Sequence, residues 1–214
     1  ALAVFIGSGV LYRGANACSD KGGAVTRQDQ ARQAQESAAI LILSDRSYAL
    51  ARRIADQIGG EVHGVAARCQ TADVLFANVS DHLHSLFEAQ RPIVAVMAAG
   101  AAIRILAPLL FDKHSEPPVV LLSEDGASVV PILGGHHGAN DPARQIGGMT
   151  NGHAAITTAG DTAFGIALDA PPQGYRLQNP EDAKPVMGAL LAGEPIAVEG
   201  NAAFLTDARF ERDD

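Results

Sequence analysis

Tryptophan is absent from the 214 residues, all aromatics together make up 5%, and only two cysteines occur, Cys18 and Cys69. So few rings exclude a base-stacking platform for single-stranded nucleic acid. Two distant cysteines, in no CxxC spacing, exclude a disulfide scaffold and a thiolate zinc site, and fit a cytoplasmic protein. Basic charge is also scarce: 16 Lys and Arg against 24 Asp and Glu give a net charge of −8, the opposite of a nucleic-acid footprint. No apolar run approaches the ~20 residues of a membrane helix. A GxxxxGK[ST] phosphate loop, a GxSxG elbow and an HExxH pair are all missing, and Gly7-Ser8-Gly9 is only half of a dinucleotide fingerprint. What remains is a core-forming composition, 47% apolar and 19% charged.

The apolar start, Ala1 to Leu11, is followed by Ala15-Asn16-Ala17, which has the small-x-small pattern of a cleavage site. No basic residue precedes Leu2, so the segment reads as a first strand, Leu2 to Ile6, rather than a secretory signal. Ser19 to Glu36 is polar, a loop or solvated helix, and residues 1–36 stay unassigned. Ala39 to Leu43 is a continuous apolar run, as expected of a strand buried on both faces. Ser47 to Ile58 repeats apolar residues at helical spacing and stops at Gly59-Gly60. Glu61 to Val65, Pro92 to Met97, Val119 to Ser123, Ser128 to Leu133 and Ala154 to Thr157 read as further strands. Val79 to Phe87, Ala101 to Leu110 and Asp141 to Ile146 read as helices. Glu124-Asp125-Gly126 is a turn between strands.

This alternation predicts an α/β domain over 37–170, a doubly wound and mostly parallel sheet with helices on both faces. Residues 171–214 (a linker, a helix at Glu181 to Leu191 and a strand at Pro195 to Val198) are expected to form a small carboxyl-terminal appendage, with a further domain expected to follow. Ligands of such sheets sit beyond the carboxyl ends of the strands. Four segments are expected there: Ser44-Asp45, Ala98 to Gly100, Gly134 to Asn140 and Thr157 to Asp161.

The loop Gly134-Gly135-His136-His137-Gly138-Ala139-Asn140 is the most informative. Its glycines allow close approach to a ligand, and the amides opening the next helix favour anions. A histidine there can act as a base near neutral pH. His136 and His137 are adjacent and point apart, so that pair alone makes no metal site. Arg104, early in the helix after Gly100, can hold a carboxylate bidentately, and Lys113 can add a second cation. Thr157, Thr158 and Asp161 offer a polar rim. Asp81-His82-Leu83-His84 reads as solvated helix surface, since i and i+2 face apart. His63 and His153 stand singly.

Taken as a set, Ile40 to Ser44, Val96 to Arg104, Leu106 to Leu110, Asp112-Lys113, Val119-Val120 with Glu124-Asp125-Gly126, Gly134 to Asn140 with Ala143-Arg144, and Ile156 to Asp161 resemble the cobalt-precorrin-5A hydrolases of cobalamin biosynthesis, the CbiG family. The family loop usually reads Ser-Gly-His-x-Gly-Gly-Ala-Asn; here Gly134 stands in place of the serine and one glycine is missing. A version close to this resembles the amino-terminal part of a fusion with precorrin-3B C(17)-methyltransferase, which would use S-adenosylmethionine.

The resemblance implies a cytoplasmic enzyme that opens the ring A lactone of a corrin precursor and releases acetaldehyde. Cobalt would enter only as part of the substrate, with no cofactor for this domain. His136 is then the general base. Backbone amides near Gly135 and Gly138 form the oxyanion site, and Gly100, Arg104, Lys113, His137, Asn140, Thr157, Thr158 and Asp161 contact the substrate. Two other readings stand beside it. One is a non-catalytic tetrapyrrole-binding module serving an attached methyltransferase; the other is a cobalt-handling protein using His136 and His137. No nucleic acid or membrane partner is expected.

Overall fold

The computed structural model describes residues 3–6, 10–14, 37–112, 115–135, 138–165, 175–199, 205, 208–209 and 212–213. The chain divides into two compact units, Gly23–Ile156 and the combination of Ala1–Gly22 with Thr157–Asp214.

The larger unit is built on a seven-stranded sheet. Its strands are β3 (Ala38–Ile42), β4 (Gly60–Val65), β5 (Val74–Phe76), β6 (Ile93–Val96), β7 (Val119–Leu122), β8 (Ser128–Leu133) and β9 (His153–Ala154). They lie in the order β5-β4-β3-β6-β7-β8-β9. The first five are parallel, β8 runs antiparallel to β7, and β9 follows β8 in parallel. The α/β expectation holds, with β8 and β9 reversed.

β3, at the centre, is buried at every position, which is why Ala39 to Leu43 shows no polar alternation. Four helices cover the sheet: α1 (Tyr48–Ile58), α2 (Val79–Glu88), α3 (Ala99–Leu106) and α4 (Asn140–Thr150). Each buries a stripe at helical spacing, such as Ala51, Ile54 and Ala55 on α1 and Leu83, Leu86 and Phe87 on α2. α2 packs against α3 and α1 against α4, consistent with two covered faces. Asn78 starts α2 by accepting the amides of Ser80 at 2.8 Å and Asp81 at 3.2 Å.

The smaller unit holds a second sheet in the order β10-β2-β1-β11-β12, from β1 (Ala3–Ile6), β2 (Val10–Gly14), β10 (Tyr175–Leu177), β11 (Ile196–Glu199) and β12 (Arg212–Asp213). It also contains α5 (Ala159–Phe164) and α6 (Pro180–Leu191). The expected boundaries at 36 and 170 therefore differ from the observed division. Antiparallel pairing of β1 with β11 and of β2 with β10 satisfies backbone groups from both ends of the chain and joins them in one sheet.

Ile40 is fully buried in the central strand. Ile40→Ala should cost about 3 kcal/mol, read from the midpoint of chemical denaturation at unchanged slope.

Candidate functional site

The carboxyl ends of β3 and β6 lie side by side, and the chain leaves them in opposite directions, through α1 to β4 and through α3 to β7. A cavity of about 460 Å3 opens at this switch point. Its walls include Leu43 after β3, Met97 and Ala98 between β6 and α3, Ala99 at the start of α3, Leu121 and Leu122 of β7, and Ser123, Glu124 and Ser128 of the β7–β8 hairpin. The hairpin is fixed by side chains. Ser123 Oγ donates to Asp125 Oδ1 at 2.5 Å, the Ala127 amide donates to the same oxygen at 3.0 Å, and the Ser128 amide donates to Ser123 Oγ at 3.0 Å. Those bonds, the Ser123 hydroxyl first, hold the Asp125 carboxyl below its usual range. The Ser123 proton is thereby engaged in the turn rather than offered to a base.

Gly100 and Arg104 belong to this end. α3 begins at Ala98 with no side-chain cap, and the exposed Arg104 folds back so that Nη1 donates to the Gly100 carbonyl at 2.6 Å. Ser44-Asp45 lies here too. Asp45 accepts the Gln70 amide at 3.1 Å and the Thr71 hydroxyl at 3.1 Å, tying the β4–β5 connection to the end of β3.

The glycine-rich loop lies elsewhere. Because β8 is antiparallel, Leu133 pairs with Val119, and the loop leaves the sheet where β7 begins. Val119 and Val120 of β7 separate it from the cavity, whose wall starts at Leu121, roughly 7 Å along the strand. This corrects the expectation that Gly134 to Asn140 shares one rim with Gly100 and Arg104. Gly134 has φ +68, and a Cβ there would lie 2.8 Å from Pro118 Cα and 2.9 Å from the Pro117 carbonyl. Only glycine fits both the conformation and the space. The Ala139 amide donates to the Gly134 carbonyl at 3.0 Å and closes the loop. Gly135 is half-buried, Gly138 has φ +90 with open space around it, and Asn140 is buried at the start of α4. His136, His137 and Lys113 lie outside the described residues. The segment that carries Lys113 ends at Pro117-Pro118, against Gly134.

Thr157, Thr158 and Asp161 fall in the smaller unit. Thr157 is exposed, while Thr158 Oγ1 donates to Asp161 Oδ2 at 2.7 Å across the first turn of α5. Among the described residues no group of three His, Cys, Asp or Glu side chains is placed to hold a metal ion, and no helix is long and apolar enough to cross a membrane.

Three of the histidines set aside in the sequence are engaged. His63 Nδ1 lies 2.8 Å from His82 Nε2, and His84 Nε2 lies 2.7 Å from the Ile105 carbonyl. His82 and His84 do face apart, as i and i+2 must, but each face meets a different neighbour. His82 meets β4 and β5, and His84 meets α3. A residue pair nineteen positions apart leaves no periodic signal.

Gly134→Ala should lower stability by about 1–3 kcal/mol through its forced positive φ, before the clash with Pro118 is counted. Gly148→Ala, in α4 with nothing within 4 Å of its Cβ, should raise stability by about 0.5–1 kcal/mol. Thermal melts of both variants check the contrast.

Comparison with known proteins adds to this geometry. The chain is 33% identical over 132 residues to the cobalt-precorrin-5A hydrolase of Priestia megaterium, covering 60% of this chain and 35% of that protein. It is 34% identical over 146 residues to the cobalt-precorrin-5A hydrolase of Salmonella typhimurium strain LT2, covering 63% of this chain and 39% of that one. The chain thus spans well under half the length of these curated relatives. A crystal structure described as that of a cobalamin biosynthesis protein G homolog from Sulfolobus solfataricus matches with a TM-score of 0.43 at 24% identity, over 74% of this chain and 47% of that one. Residues 81–161, which run from α2 through the cavity wall and the glycine-rich loop, match the family model of the cobalamin synthesis G N-terminal region, and there the chain carries that family's sequence pattern.

Proposed function

We propose that this chain acts in cobalamin biosynthesis as a cobalt-precorrin-5A hydrolase, binding a corrin-pathway tetrapyrrole and opening its ring A lactone with release of acetaldehyde. The observation that carries the reading is the family match over 81–161, supported by the two relatives at 33% and 34% identity. Cobalt belongs to the substrate in this reading, and the domain needs no cofactor of its own.

The chemistry is placed at the loop end of the larger unit. Opening a lactone requires an activated water, donors for the oxyanion of the tetrahedral intermediate, and a proton for the departing alkoxide. His136 takes the proton from water and returns it to the alkoxide; the freed hydroxyl then gives up its proton as the C–C bond to the macrocycle breaks, the electron pair passes to the conjugated ring system, and acetaldehyde leaves. The Gly135 and Gly138 amides are the oxyanion donors, at glycines that let the backbone come close to the substrate. Lys113 holds a peripheral carboxylate. Among the described residues, the lining of the cavity at the other end of β7 offers an apolar wall and Glu124 but no imidazole. Arg104 stands at that far end and is not assigned to the reacting ring.

Incubating the full chain with lactone-bearing precursor and measuring acetaldehyde tests the proposal. His136→Ala should reduce kcat/KM by about a hundredfold or more. Full activity in that variant removes His136 from the mechanism. Tight binding with no acetaldehyde from the unmodified chain replaces the hydrolase by a tetrapyrrole-binding module, the form expected beside a methyltransferase. Ala98→Trp, which crowds the mouth of the cavity, separates the two ends of the sheet. Its retained activity keeps the chemistry at the loop, and its loss with His136→Ala unaffected moves the chemistry to the cavity.

A further inference from the structure

At the sheet edge remote from the β7–β8 hairpin, β5 is three residues long and pairs only with β4. His63, in the middle of β4, is 2% exposed. Its Nδ1 meets Nε2 of the half-buried His82 on α2 at 2.8 Å, and the His82 ring stacks on Phe76 of β5 at 4.2 Å between centroids and 7° between planes. Strand, edge strand and helix are thus joined through two imidazoles. The contact works with one proton between the two nitrogens. With both rings cationic, two N–H groups would point at each other.

Two carboxylates, Glu61 and Asp73, favour the charged form of His63, and both are engaged by other partners. His63 Nε2 is buried with no hydrogen-bond partner. Glu61 of β4 comes no closer than 3.9 Å and is held at 2.5 Å by Arg91, which follows α2. Asp73, just before β5, is held by Arg52 of α1 at 2.8 Å and by the Val62 amide at 2.8 Å. Arg91 adds positive charge beside both rings.

We propose that the His63–His82 pair is an acid-sensitive latch that fastens β5 and α2 to β4, and that protonation releases this edge of the sheet while the central strands stay formed. Burial, then Arg91 and His82, push His63 down from 6.5 to about 4, and burial with Arg91 pushes His82 down as well. A base depressed in the closed state binds its proton more readily when opened. The latch is therefore fully closed above about pH 6.5 and weakens as pH falls toward about 4.

Amide hydrogen exchange on the full chain tests it. The Ala66 amide donates to the Phe76 carbonyl at 2.8 Å and reports β5 directly. Corrected for intrinsic chemistry, its exchange should speed up about tenfold between roughly pH 7.5 and 5, without the urea dependence that marks global unfolding. Amides of β3 should keep their steep urea dependence. His63→Phe removes the more depressed imidazole, and His82→Gln replaces the other by a donor to His63 Nδ1 that does not titrate. Each leaves one titrating ring and should reduce the pH response, and the double variant should abolish it. A pH-invariant Ala66 rate overturns the latch, as does a urea dependence equal to that of β3 or an unchanged pH response in both variants.

Discussion

One reversal of chain direction, at Glu124-Asp125-Gly126, decides which end of the larger unit each functional segment faces. Up to β7 the strands are parallel, so every strand-to-helix loop emerges at the same end. After the turn β8 and β9 run the other way, and the glycine-rich loop emerges where β7 begins. The turn is anchored on both sides. Gly126 has φ +70, Asp125 gathers the Ser123 hydroxyl and the Ala127 amide, and Thr150 at the end of α4 donates to the Gly126 carbonyl at 2.8 Å. Gly152 is required by the same packing, since a Cβ there would fall on that carbonyl. The hairpin is therefore a clamp between the sheet and α4, and the placement of the loop follows from it.

Much of this architecture is written in local pattern. Ala39 to Leu43 reads as a doubly buried strand because no position in it is tolerated at a surface, and β3 is buried throughout. The stop at Gly59 is equally legible; its φ of +77 suits glycine. Glu124-Asp125-Gly126 is legible as a turn, and a tight turn joins antiparallel strands. The reversal of the loop was thus implicit in residues whose turn character is plain. The wider rule that ligands sit at carboxyl ends hides it, because that rule assumes a single strand direction.

Other features leave no local trace. β5 is three residues, too short for alternation to show, and is fixed by its pairing with β4. α5 is a six-residue segment whose first turn is tied by Thr158, the residue before it, donating to Asp161. The His63–His82 contact joins positions whose individual contexts look ordinary. Helical spacing argues only about neighbours on one helix, and says nothing of what a second element brings to each face. Tertiary contact is also why the terminal strands share a sheet: β1 and β11 are far apart in sequence and adjacent in space.

The acid balance of the chain bears on the proposed recognition of a substrate that carries several carboxylates. A net charge of −8 repels such a ligand at long range, although screening confines that repulsion to about 10 Å at ordinary ionic strength. Inside that distance, individual donors outweigh the mean field, because a directed bond to a carboxylate acts at contact and is poorly screened. The loop end suits this regime. Its glycines allow the backbone to supply amides, and a backbone donor adds affinity without adding net charge. The same feature explains why composition excludes one class of polyanion and not another. Nucleic acid presents an extended charged surface that needs a matching basic field, whereas a small polyacid needs only a few donors in the right places.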